Sequence, residues 1–347
     1  MWQKLFLPIA CLWSTILRVR NFLYDQKILH STKFSFPVIV VGNLSLGGTG
    51  KTPFVDWLLQ SLKNHTGLFV LSRGYGRRSK GFYEVLENGN AEQFGDEPLM
   101  LKVKNPQIKF YVCEDRVSAL SKIAADHETP LAILDDAFQH RKLSPGLSIL
   151  LFNSSEIDKL QMFPSGRLRD NLYRVKQADV IIFTKCKPES LDQLTASVHQ
   201  KLRLIGHQKI FFTGIDYAPA KHLFHSEKPL THYDQFILVT GIADANPLLQ
   251  YLQADRKKIL KHFKFSDHHH FTQNELHEIK DYFDNIAGEN TVIFTTEKDA
   301  FRMYHHDHSA ILKHLPIFVI PIKMRFFSDL DEQLLIEKIL KYVKRNT

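Results

Sequence analysis

Short runs of consecutive large apolar residues recur along the chain. The first is Pro37 to Val41 (PVIVV), and others cover Gly67–Leu71, Ile108–Cys113, Leu131–Leu134, Leu147–Phe152, Val180–Thr184, Ile210–Thr213, Phe236–Thr240, Val292–Thr295 and Ile317–Ile320. Several carry β-branched residues at successive positions rather than alternating with polar ones, which predicts strands buried on both faces of a parallel sheet. Stretches with helical spacing lie between them, such as FVDWLLQSL at 54–62. The alternation predicts an α/β fold: a mostly parallel sheet with helices on both faces, plus a second, smaller α/β domain, because 347 residues exceed one ordinary core. Residues 214–234 are poor in apolar periodicity and are read as a linker. The expected division is an N-terminal amphipathic helix over 1–30, a core domain over 31–213, and a C-terminal α/β domain over 235–347 that closes over the active site.

The first segment has a different pattern. Leu5 to Leu17 is mostly apolar, with Lys4, Arg18 and Arg20 at its ends. It is shorter than the roughly 20 residues a spanning helix needs, and no small-residue cleavage site follows it. The pattern points to an interfacial helix, with Trp2, Phe6, Trp13 and Phe22 at headgroup level and the basic residues against anionic lipid. The structural alternative is a helix docked on the protein's own core.

The first apolar run leads into GNLSLGGTGKTP, residues 42–53. A buried strand, a glycine-rich turn and a helix beginning at Lys51-Thr52 form a phosphate loop, so the core is expected to be P-loop NTPase-like. Backbone N–H groups of such a loop wrap a phosphate and the helix dipole adds positive charge. Lys51 reaches β/γ oxygens, and Thr52 offers a hydroxyl to Mg²⁺. The nucleotide-binding set is Leu46, Gly47, Gly48, Thr49, Gly50, Lys51, Thr52 and Pro53. The strict spacing wants glycine at position 45, where this chain has Ser45. A plain β-α turn does not explain Lys51, since a cation at a helix start is disfavoured unless an anion is present.

Polar clusters follow other predicted strands, where open α/β sheets place their chemistry. After LAIL comes Asp135-Asp136, an acidic pair suited to a Walker-B-like Mg²⁺ site. After LFVLS comes Arg73-Gly74-Tyr75-Gly76-Arg77-Arg78, a basic loop fit for anion contact. Gly95-Asp96-Glu97-Pro98 opens a helical stretch, and its bland reading is N-capping by Asp96.

Charge and cysteine content narrow the setting. A net charge of +8 and a pI near 9.2 imply an anionic partner: nucleic acid, anionic lipid or a phosphorylated substrate. Cys11, Cys113 and Cys186 form neither a disulfide framework nor a zinc pattern, which points to a reducing compartment.

GNLSLGGTGKTP, SRGYGR, GDEP, LDDAFQH, FPSGRLRD, FTKC, TGIADANP, FSDHHHFT and TTEKDA occur in this order. Together they resemble the tetraacyldisaccharide 4′-kinase family of lipid A biosynthesis, from the N-terminal helix to about Arg302. The resemblance implies transfer of the γ-phosphate of ATP to the 4′-hydroxyl of a tetraacylated disaccharide 1-phosphate, giving lipid IVA, at the cytoplasmic face of the inner membrane. It implies Asp96 as catalytic base, paired with His268, and Lys51 on the β/γ-phosphates. Thr52 and Asp136, with Asp135, would hold Mg²⁺. Asn43, Arg73, Tyr75, Gln139, His140, Arg169 and Asp170 are the substrate-side candidates. The family pattern has Glu where this chain has Asp170, which puts direct sugar contact there in doubt. His269 and His270 extend the histidine run without a convincing metal set, and His305-His306-Asp307-His308 reads as a polar loop.

The loop is also similar to those of switch ATPases and GTPases acting on protein partners. Those carry a lysine before the double glycine, where this chain has Leu46, and GTPases read guanine with N-K-x-D, which Thr184-Lys185-Cys186-Lys187 lacks. Adenine is expected. A nucleic-acid-dependent ATPase would use the positive charge on phosphate backbones, but the amphipathic N-terminus argues for lipid. Neither nucleic acid nor an obligate protein partner is expected.

Overall fold

A computed structural model of the protein describes all residues except 1–5, 127–129, 226, 231, 255–256, 287, 289, 305–308 and 347. Trp2, Lys4, Leu5 and the 305–308 cluster therefore lie outside the described residues. The chain divides into two compact units, one of residues 1–215 and 324–347, the other of residues 216–323.

The first unit is built on a sheet ordered β14-β8-β7-β6-β1-β5-β2-β4-β3. The strands are β1 (Val38–Asn43), β2 (Leu68–Ser72), β3 (Tyr83–Glu84), β4 (Lys109–Val112), β5 (Leu131–Asp135), β6 (Leu147–Asn153), β7 (Val180–Thr184), β8 (Lys209–Tyr217) and β14 (Ile322–Phe326). From β8 to β4 every pairing is parallel, and the short edge strand β3 pairs antiparallel with β4. Every residue of β1 is buried, as its unbroken apolar run requires. β1 lies between β5 and β6, and the chain fills one side of the sheet before crossing to the other. Its carboxyl end is thus a topological switch point, where α/β sheets bind ligands.

The helix after β1, Lys51–Leu62, buries Phe54, Val55, Leu58, Leu59 and Leu62 against the sheet. Its outer polar residues tie it to the helix Asp96–Lys104. Asp56 accepts from Asn105 Nδ2 at 3.0 Å and pairs with Lys104 Nζ at 2.8 Å, while Gln60 donates to Asn105 Oδ1 at 2.7 Å. The C-terminal helix Asp329–Asn346 belongs to this unit, which corrects its assignment to the C-terminal domain. Tyr342 receives a hydrogen bond from Val38 N at 2.9 Å, and Trp57 Nε1 donates to Glu332 at 2.6 Å.

The second unit holds a sheet ordered β11-β10-β12-β13-β9, with β9 (Lys221–His222), β10 (Gln235–Thr240), β11 (Lys258–Lys264), β12 (Thr291–Thr296) and β13 (Ile317–Ile320). Apolar clusters cover both its faces. β9 pairs antiparallel with β13, so part of the expected linker is sheet. β8 likewise runs through Tyr217, past the expected end of the core domain.

Candidate functional site

The phosphate loop leaves β1 at Asn43 and ends at Gly50, which caps the helix at Lys51. Gly47, Gly48 and Gly50 have φ of +67, +56 and +72°, the left-handed region that only glycine enters at little cost. Gly42 is required for another reason. A Cβ there would stand 2.6 Å from Phe138 Cβ, so only glycine lets β1 approach the segment after β5 this closely.

That approach brings charged groups together. Asp135 ends β5 in register with Val41, and Asp136 follows with φ +52°, a strained conformation for a residue with a side chain. Lys51 Nζ lies 3.4 Å from Asp136 Oδ1 and donates to Asn43 Oδ1 at 3.1 Å. Arg169 pairs with both Asp136 oxygens and donates to Asn43 Oδ1 at 2.6 Å. Burial alone would raise the Asp136 carboxyl pKa, but Lys51 and Arg169 outweigh it and hold the carboxyl well below the usual range. Asp136 therefore stays ionised and keeps two cations at the mouth of the loop. Asp135, Asp136 and Thr52 offer oxygen donors only, and one or two carboxylates beside substrate phosphates is the set that suits Mg²⁺. No cluster of three or more His, Cys, Asp or Glu able to hold a metal on its own exists among the described residues.

The sequence-predicted residues take different places. Asn43 is fully buried and its carboxamide is occupied: Oδ1 receives Lys51 and Arg169, and Nδ2 donates to Ser45 O at 2.6 Å. Gln139 donates to Asn43 O at 2.6 Å, closing the same cluster. His140 is half-buried, and burial first, with Arg116 second, pushes its pKa down to about 4, so the ring is neutral near pH 7. Arg73 is exposed after β2, and Tyr75 in the same loop is 80% exposed. Asp170 differs from expectation. It is fully buried, pairs with Arg174, and accepts from Asn21 Nδ2 at 3.0 Å and Asn171 N at 2.8 Å. Those partners give it an anchoring place under the N-terminal helix rather than a substrate-facing one.

Asp96 is the first residue of its helix and Gly95, at φ +89°, is the cap, so the bland reading of Asp96 as N-cap is not what the chain adopts. His268 lies in the second unit, exposed, with φ +59°. Arg302 Nη2 approaches its Nδ1 at 3.2 Å. A guanidinium only donates, so Nδ1 accepts and the proton of the neutral ring sits on Nε2. Arg302 is itself paired with buried Asp299. His269 pairs with Glu275 at 2.9 Å and stacks on Phe265.

Arg116 escaped the sequence reading. Its guanidinium is buried, its pKa is lowered by burial and then by Arg73, and the charges of Asp136 and Asp135 act against that shift. A buried cation beside the acidic pair belongs to the same charged cluster. Its sequence setting, one residue after the helix cap Asp115, resembles any helix start.

The N-terminal helix, Leu7–Asp25, buries only Ala10, Leu17 and Asn21. Several of its docking contacts are polar. Ser14 donates to Asn171 Oδ1 at 2.8 Å, Arg20 to Gln139 O at 3.1 Å, and Asp25 receives Arg141 at 2.7 Å. Phe6, Ile9, Leu12, Trp13, Ile16, Val19 and Phe22 remain exposed. No helix among the described residues is long and apolar enough to cross a membrane.

The family model LpxK, tetraacyldisaccharide-1-P 4'-kinase, matches residues 2–343. The tetraacyldisaccharide 4'-kinase of Bacteroides thetaiotaomicron is 35% identical over 365 aligned residues, covering 99% of this chain and 94% of that protein. The enzyme of the same name from Flavobacterium johnsoniae is 36% identical, covering 99% of this chain and 98% of that protein. The crystal structure of LpxK from Aquifex aeolicus in complex with ATP superimposes with a TM-score of 0.73 at 28% identity, over 98% of this chain and 99% of that one. These matches do not favour the switch-ATPase alternative. The chain belongs to the tetraacyldisaccharide-1-P 4'-kinase family, whose members are ATP-dependent kinases of lipid A biosynthesis.

Proposed function

We propose that the family reaction runs on this chain through the cluster around Asn43 and Asp136, and that the observation carrying the reading is the pair of cations, Lys51 and Arg169, held at the phosphate-loop mouth by one ionised carboxylate. ATP seats its phosphates in Leu46 to Pro53. Lys51 leaves Asp136 for the β/γ oxygens, the usual work of a phosphate-loop lysine. Thr52, Asp135 and Asp136 would hold Mg²⁺, which would supply charge neutralisation on the phosphates. Asp96 accepts the proton of the 4′-hydroxyl as its oxygen bonds to the γ-phosphorus and the bond to the ADP oxygen breaks. The family resemblance pairs His268 with that carboxylate, and within its own unit the His268 ring is held by Arg302. Arg73, Tyr75 and His140 receive the sugar and its 1-phosphate, while Gln139 and Asn43 act by positioning Arg169.

The lipid is met through the N-terminal helix. Fully burying a Leu, Ile or Phe side chain is worth about 1.5–3 kcal/mol, so an exposed row of them gains most by entering an apolar phase. Their place is the headgroup region of the inner membrane's cytoplasmic face, with the protein bound peripherally and needing neither nucleic acid nor a protein partner.

The test is incubation of the purified protein in detergent with Mg²⁺, γ-labelled ATP and tetraacyldisaccharide 1-phosphate. Label in a bisphosphorylated lipid is expected, and Asp96→Asn should abolish it while ATP still binds. ATP hydrolysis with no labelled lipid would overturn the reading.

A further inference from the structure

The departure of this phosphate loop from the strict pattern, Ser45 in place of glycine, has a structural partner. Ser45 is buried, and its hydroxyl donates to Glu156 Oε2 at 2.9 Å. Glu156 is buried too, in the turn that follows β6. Its other oxygen, Oε1, meets Arg167 Nη1 at 3.0 Å, and Arg167 Nη2 donates to Leu46 O at 2.7 Å. The backbones are joined as well. Leu46 N donates to Arg167 O and Arg169 N to Leu44 O, both at 2.8 Å, with Ser45 and Leu168 forming an antiparallel bridge. At the other end of the loop Thr184 donates to Thr49 O at 2.9 Å. The glycines between have no side chains with which to fix their own conformation, so the loop's shape is set from its two ends.

We propose that Glu156 and Arg167 are positioning residues that clasp the entry arm of the phosphate loop, Leu44 to Leu46, in its ATP-binding shape. They act on the nucleotide through Ser45 and Leu46. A glycine at position 45 would leave Glu156 Oε2 without its hydroxyl donor. With the clasp broken, the loop occupies its binding-competent shape for a smaller fraction of the time, and apparent ATP affinity falls by that fraction while the bound complex reacts as before.

The test is to vary ATP at saturating lipid for the full-length Glu156→Gln, Arg167→Met and double variants, and to measure the Kd of a non-hydrolysable ATP analogue in parallel. Each single variant should raise KM for ATP and the analogue's Kd about tenfold, equivalent to about 1.4 kcal/mol, with kcat within about twofold. The double variant should do no more than the larger single, because both break one device. A role in folding alone lowers the melting temperature and the active fraction yet leaves KM for ATP unchanged, and that result would overturn the clasp. So would additive effects in the double variant, which would mean Arg167 touches the nucleotide independently. Should Glu156→Gln fail to fold, Ser45→Ala keeps the Glu156–Arg167 pair and removes only the hydroxyl link. It should raise KM about threefold, and an unchanged KM would count against the proposal.

Discussion

Two helices of the first unit look alike in sequence and are used in opposite senses. Lys51–Leu62 turns Phe54, Leu58 and Leu59 onto the sheet and keeps Asp56 and Gln60 outside. Leu7–Asp25 turns Ala10, Ser14, Leu17 and Asn21 inward, Ser14 and Asn21 to polar partners, and leaves Ile9, Leu12, Trp13 and Ile16 outside. Amphipathic periodicity reports that a helix has two faces, not which medium each face meets. The inward face of the N-terminal helix is recognised by what it docks on, namely Asp170, Asn171 and Arg141. A carboxylate placed under a helix, where a substrate contact was expected, is the mark of that inversion.

The largest difference between the two helices should appear in turnover. Lys51→Ala removes a cation at the head of the buried helix, and kcat should fall at least about a hundredfold, about 2.7 kcal/mol of transition-state stabilisation. Leu12→Ala on the exposed face should leave detergent-assayed kcat within about twofold. Steady-state kinetics on both variants measures the contrast. Next comes stability. Asp170→Ala strands Arg174 in the interior and should cost about 3–5 kcal/mol in denaturant unfolding. Leu58→Ala opens a cavity under the phosphate-loop helix and should cost about 2–5 kcal/mol, whereas Leu12→Ala should stay within about 0.5 kcal/mol.

A further effect is the pH dependence of His140, next in sequence to the Gln139 that Arg20 of the N-terminal helix contacts. Its pKa is lowered in the fold from 6.5 to about 4, so the unfolded chain binds the proton first. Stability from the neutral ring is complete above about pH 6.5 and is lost as pH falls toward about 4. The melting temperature should drop across that window, and His140→Gln should flatten the drop.

Much of the first unit was legible because its strands are unbroken apolar runs: each predicted run became a strand, at nearly its predicted bounds except for β8, which continues from Thr213 to Tyr217. β11 and β14 were not, since Lys258, Lys261, Lys264, Lys323 and Arg325 interrupt their apolar residues and both strands lie at sheet edges. The phosphate loop and acidic pair were legible because glycine spacing and strand ends encode them locally. The duties of Asn43, Arg116 and Glu156 were not, because each depends on partners that the fold brings from distant segments. The C-terminal helix joins the first unit through Tyr342 and Val38, residues 304 positions apart, for which no local pattern exists.

The central claim, that one helix face serves the lipid while the phosphate loop serves ATP, is tested most directly by flotation with vesicles carrying the tetraacyldisaccharide 1-phosphate. Lipid phosphorylation would be measured in the same vesicles and in detergent, for the native protein and for Leu12→Glu/Ile16→Glu. The account predicts that the variant stays with the unbound fraction and loses phosphorylation on vesicles, yet keeps near-native turnover in detergent. A variant that floats and phosphorylates like the native protein would contradict it.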